Sequence, residues 1–76
     1  MDMNIKFEWR DAATGLHILY VGQSKWGSAS WTVPEPDQWQ GYCYLTEEWG
    51  RDFPTLDEAK AWVEEQAREW LAEVTA

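Results

Sequence analysis

The sequence predicts an α+β domain in which a four-stranded antiparallel sheet, in meander order, carries one C-terminal helix across one face. Three observations lead there. Between residues 3 and 46, period-two segments are separated by glycine- and proline-bearing turns too short for anything but hairpins. From residue 56 the period changes to 3.6, behind a capping box. The chain is 76 residues long, enough for one domain and too little for two, so residues 1–76 read as a single ββββα unit.

The elements follow in order. Met3, Ile5, Phe7 and Trp9 alternate with Asn4, Lys6, Glu8 and Arg10, which makes residues 3–10 a half-buried strand. Asp11-Ala12-Ala13-Thr14-Gly15 is a turn. Leu16 to Val21 is apolar on both sides except at His17, the mark of a central strand. Gly22-Gln23-Ser24-Lys25 and Gly27 punctuate the next turn. A third strand then sets Ala29, Trp31 and Val33 against Ser28, Ser30 and Thr32, and Pro34-Glu35-Pro36-Asp37 stops it. Residues 39–46 form the fourth strand, with Trp39, Gly41, Cys43 and Leu45 on one face and Gln40, Tyr42, Tyr44 and Thr46 on the other.

The helix has the strongest signal. Pro54 blocks its backward extension, and Thr55-Leu56-Asp57-Glu58 is a capping box with acids at the positive end of the dipole. Leu56, Ala59, Val63, Ala67, Trp70, Leu71 and Val74 form one stripe that should lie on the sheet.

Composition narrows the function. Fourteen acidic against six basic residues give a net charge of −8. That balance repels phosphate backbones and anionic lipid surfaces, so the expected partner is a basic protein or ribonucleoprotein complex, with no direct nucleic acid and no membrane. Seven Trp, three Tyr and two Phe exceed what one thin core layer hides, so part of them should reach the surface as an interaction site. No run approaches the ~20 apolar residues of a membrane span, and the chain reads as cytoplasmic.

Catalytic chemistry finds no support. His17 and Cys43 fall on strands, away from the helix N-terminus or turn that would stabilise a thiolate, and read as structural. Two potential soft ligands are too few for a structural zinc site. No glycine-rich loop precedes a helix, and adjacent carboxylates such as Glu64 and Glu65 diverge on a helix surface. No cofactor, metal or catalytic residue is expected.

The candidate sites are surfaces. Glu58, Trp62, Glu65, Glu69 and Glu73 fall within about 80° of arc on the helix at 100° per residue. Glu65, Glu69 and Glu73 are successive i, i+4 neighbours of like charge, roughly 5–6 Å apart, a pitch comparable with phosphates along a nucleic-acid strand. Such a row could occupy a groove built for a phosphate backbone, with Trp62 or Trp49 as anchor; a plain solvated glutamate face is the alternative. A second acidic-aromatic patch, Glu47-Glu48-Trp49, lies in the segment before the helix, read as a loop. Tyr20, Tyr42 and Tyr44, with Leu16 and Ile18, should mark the sheet face away from the helix. Three uses fit that face: an isologous dimer, a partner site, or an aromatic platform for a sugar or peptide.

Gly22, Trp31, Trp39, the strand Gly41-Tyr42-Cys43-Tyr44 and the run Phe53-Pro54-Thr55-Leu56-Asp57-Glu58-Ala59-Lys60-Ala61-Trp62-Val63-Glu64 resemble small acidic proteins encoded by phages and bacterial mobile elements. Several proteins of that kind are anti-CRISPR inhibitors, which occupy the nucleic-acid or nuclease-recruitment surface of a surveillance complex. The resemblance implies an inhibitor of a host complex, with type I surveillance as the leading target, and carries over no individual functional residue. The alternative is a small carbohydrate- or peptide-binding module that uses the aromatic sheet face.

Overall fold

The computed structural model describes residues 6–31 and 38–75, with side chains as far as residue 74. Strands β1 (Glu8–Ala13), β2 (Leu16–Val21), β3 (Ser24–Trp31), β4 (Trp39–Cys43) and β5 (Glu48–Phe53) precede one helix, α1 (Leu56–Thr75). The strands lie in sequence order, and each pairs antiparallel with the next. The α+β class, the meander and the C-terminal helix agree with the sequence. Among the described residues the strands number five, not four.

The added strand is β5, which occupies the segment read as a loop. Its residues, Glu-Trp-Gly-Arg-Asp-Phe, lack apolar alternation because its helix-facing positions begin with Glu48 and continue with the glycine Gly50. The fourth strand is correspondingly shorter than predicted: it ends at Cys43, and Tyr44–Glu47 make the turn into β5, closed by Glu47 at φ 56°. At the other edge, β1 runs on through the predicted turn to Ala13, so the β1–β2 turn is only Thr14-Gly15. The register shift between Asp11 and Ala13 absorbs the extra residue. Met3, Ile5, Thr32, Val33 and the Pro34–Asp37 stop lie outside the described residues.

The helix can sit close to the sheet because β3, β4 and β5 present almost no side chains beneath it. A Cβ at Gly41 would stand 2.8 Å from Val63 Cγ2 and 2.9 Å from the Trp62 ring; at Gly50 it would stand 2.7 Å from Trp62 Cδ2. Gly41 pairs with Gly50 across the strands and with Ala29 on the other side, so a smooth trough runs under α1. Ala59, Val63 and Ala67 fill it from above and meet Leu19, Ala29 and Cys43, all fully buried. Aromatic rings close the ends. Trp26 packs edge-on against both Phe7 and Trp70, while Phe53 lies against Trp62. Val74, expected in the apolar stripe, is exposed.

The helix begins where predicted. The Glu58 N–H donates to Thr55 Oγ1 at 3.2 Å, so the capping hydroxyl satisfies a donor the helix cannot.

Candidate functional surfaces

Two surfaces on opposite sides of the sheet hold the candidate residues. The first is the outer face of α1. Glu58, Glu65, Glu69 and Glu73 are all exposed there. Among the described residues none of the four takes part in an ion pair. Both basic residues of the helix are drawn elsewhere. The Lys60 ammonium lies 5.4 Å from the centre of the Trp9 ring, and the Arg68 guanidinium 5.0 Å from that of Phe7. Arg68 also pairs with Glu64, whose other carboxylate oxygen accepts the Trp9 indole N–H at 2.8 Å. Glu64 is thus the structural carboxylate of the helix, and it ties α1 to β1.

The remaining row is uncompensated. Glu65–Glu69 and Glu69–Glu73 are like-charge i, i+4 pairs, each costing about 0.2–0.5 kcal/mol. The last turn of the helix contains no basic residue, so Glu73 meets the negative end of the dipole unrelieved.

Trp62 does not stand in the row. It lies half-buried over Gly50 and Gly41, beside Phe53. By angle it falls inside the acidic arc, between Glu69 and Glu73, but the wheel places only the Cα. A side chain this large leans back toward the sheet wherever glycines leave room.

The second surface is the sheet face that α1 leaves open. Strand alternation places Arg10, Ile18, Ser28, Tyr42 and Trp49 on it, and the register lines these five up as one row across all five strands. Tyr42 lies 4.5 Å from Trp49 and 5.2 Å from Tyr44 by ring centres. Trp49 is 53% exposed and Tyr44 38%. Tyr20 is half-buried under the Arg10 guanidinium, 4.3 Å from its ring centre, and Arg10 is paired with Glu8. Arg51 stands 6.0 Å from the Trp49 ring. The sequence marks the tyrosines but not Arg10 and Arg51, whose roles depend on a cross-strand register and on β5, a strand without apolar alternation.

The Glu47-Glu48-Trp49 patch is divided by β5. Trp49 opposes Tyr42 on the open face, whereas Glu48 opposes Cys43 and therefore lies on the helix side. Glu47 occupies the turn. His17 binds Asp11 through Nδ1 and packs against Trp39, while Cys43 is fully buried under the helix. Among the described residues no three His, Cys, Asp or Glu side chains gather as a metal site would require. No described helix is long and apolar enough to cross a membrane. Comparison with family models, curated proteins and solved structures gives no match.

Proposed function

We propose that the protein is a non-catalytic, inhibitory binding protein that places the outer face of α1 in a basic groove of a host protein or ribonucleoprotein complex. One observation carries the reading: four exposed glutamates in a row, without a cationic partner among the described residues, on a helix whose own bases are turned to Trp9 and Phe7. An arrangement that costs stability and leaves the fold unimproved is accounted for by a partner that supplies the cations. Glu48, on the helix side of β5, extends the acidic surface at its margin. The half-buried Trp62 contributes its exposed edge at most, so charge rather than an aromatic anchor sets the affinity.

The resemblance to small acidic phage proteins supports a nucleic-acid-handling target, with a type I surveillance complex in the host cytoplasm as the leading one. There the carboxylate row takes the place of target-strand phosphates. The test is a competition experiment: the purified surveillance complex, its labelled target duplex, and increasing amounts of this protein. Duplex binding should be lost, and the loss should reverse steeply as salt rises. Glu65→Lys, Glu69→Lys and Glu73→Lys combined should restore duplex binding while the far-UV spectrum stays helical. Inhibition that survives the triple reversal would eliminate the phosphate-row mechanism.

A further inference from the structure

We infer that the open face of the sheet is an isologous interface with a second copy of this chain, which buries the row Arg10–Ile18–Ser28–Tyr42–Trp49 against itself. The row has a self-complementary composition. A cation and an aliphatic side chain stand on one side of Ser28, and two rings tilted against each other on the other. A two-fold axis between the sheets, parallel to the strands and passing beside β3, reverses the row. Arg10 then faces Trp49 of the second copy, Tyr42 lies over Ile18, which is already buried within its own chain, and the small Ser28 faces Ser28, where close approach is easiest. Every contact occurs twice, as an isologous interface requires. Arg10 already lies over the Tyr20 ring in its own chain, and a second ring from the partner would enclose its guanidinium between two aromatic faces.

Charge favours this occupant. Among the described residues, few acidic side chains stand on the open face. Of the charged side chains alternation places there, Glu8 is paired with Arg10, Arg51 accompanies Trp49, and Lys25 stands at the rim beside the β2–β3 turn. The carboxylates of α1 point the opposite way. Packing open face on open face gives an α-β-β-α sandwich with its acidic layers outermost, so two chains of net charge −8 meet through the surfaces that repel least. A standard stable interface takes about 800 Å² from each partner, roughly 15% of the chain's 5196 Å².

Sedimentation of the purified chain alone tests this independently of any host target. At about 100 µM the mass should be twice the monomer's 8.9 kDa. Trp49→Lys sets two cations against each other and should raise the dimer dissociation constant at least about tenfold, with the helical spectrum unchanged. The near-isosteric Ser28→Cys places a thiol at the axis. A bismaleimide of about 10 Å reach, the spacing of face-packed sheets, should then join two chains through it, whereas Glu65→Cys should not be joined. A monomer at that concentration overturns the inference and leaves the aromatic corner to a sugar or peptide ligand. A dimer indifferent to Trp49→Lys, or one joined equally well through Glu65→Cys, overturns it too, since association would then use another surface.

Discussion

The position of Trp62 decides whether the helix offers a partner an aromatic anchor, and Gly50→Ala tests it. The added methyl would sit 2.7 Å from Trp62 Cδ2 and Cε2 and 3.0 Å from Cε3. An indole against a helix and a strand cannot move away without opening the Val63 layer, and overpacking of this kind costs about 1–3 kcal/mol. Opposing it, alanine in a strand recovers roughly 0.5–1 kcal/mol of backbone entropy relative to glycine. The steric term wins, for a net loss of about 1 kcal/mol. A 76-residue domain holds on the order of 4–11 kcal/mol in all. With an m-value of about 1 kcal/mol/M, the urea midpoint should fall by about 1 M. In a Trp62→Leu background the smaller side chain removes the collision, so the same Gly50→Ala change should become neutral or slightly stabilising. That is a coupling of about 1 kcal/mol or more. Equal effects in the two backgrounds would refute the placement and return Trp62 to the outer row.

Three further outcomes follow from particular contacts. Thr55→Ala removes the acceptor of the Glu58 N–H and should lower stability by about 1 kcal/mol, read as a shift in urea midpoint. Glu64→Gln should cost about 1 kcal/mol by weakening the charge-assisted bond from the Trp9 indole, whereas Glu65→Gln, at an exposed position, should cost nothing measurable. Glu69→Lys turns two repulsive i, i+4 pairs into attractive ones and puts a cation near the helix C-terminus. It should stabilise the fold by about 1 kcal/mol while weakening partner binding; a variant that gains stability without losing binding would show that the row is not the contact surface.

What the sequence disclosed, it disclosed through periodicity. Alternation at Phe7 and Trp9, the doubly apolar β2 and the capped 3.6-residue stripe each report which side of an element is buried, and the fold class follows from them. β5 escaped because burial there takes an inverted form. Its inward position is Gly50, chosen so that the Trp62 ring can lie on the backbone, and the strand therefore shows a glycine where a pattern search looks for an apolar residue. The same contact takes Trp62 out of the acidic arc its angle assigns it to, because a helical wheel gives direction to a Cα and is silent about where a long side chain lies. The tyrosine face was legible from alternation on β4 alone. Its cations were not, since Arg10 meets Tyr20 only once the strand register is fixed, and Arg51 meets Trp49 only once their segment is a strand. In the candidate surfaces, as in the fold, single-element patterns could be read and juxtapositions across elements could not.

The two proposed surfaces differ in the force that operates at each, and one variable separates them. The helix row would act through several exposed charge pairs, which salt screens over a Debye length of about 8 Å at physiological ionic strength. The open face would act through aromatic rings, aliphatic contact and enclosed guanidinium groups, for which added salt changes little and can even strengthen apolar burial. In the face-to-face dimer the two carboxylate rows are separated by both sheets, stacked about 10 Å apart, and by a helix layer on each side. Their mutual repulsion is therefore already screened in ordinary buffer, and removing it with more salt gains almost nothing. A salt titration should accordingly leave the dimer mass constant while partner binding declines. Because the rows face opposite directions, each dimer also presents two equivalent acidic faces, and two copies of a target should bind per dimer. Dimer dissociation that tracks the loss of partner binding as salt rises would mean that both events use the helix, and the division of labour between the two faces would fail.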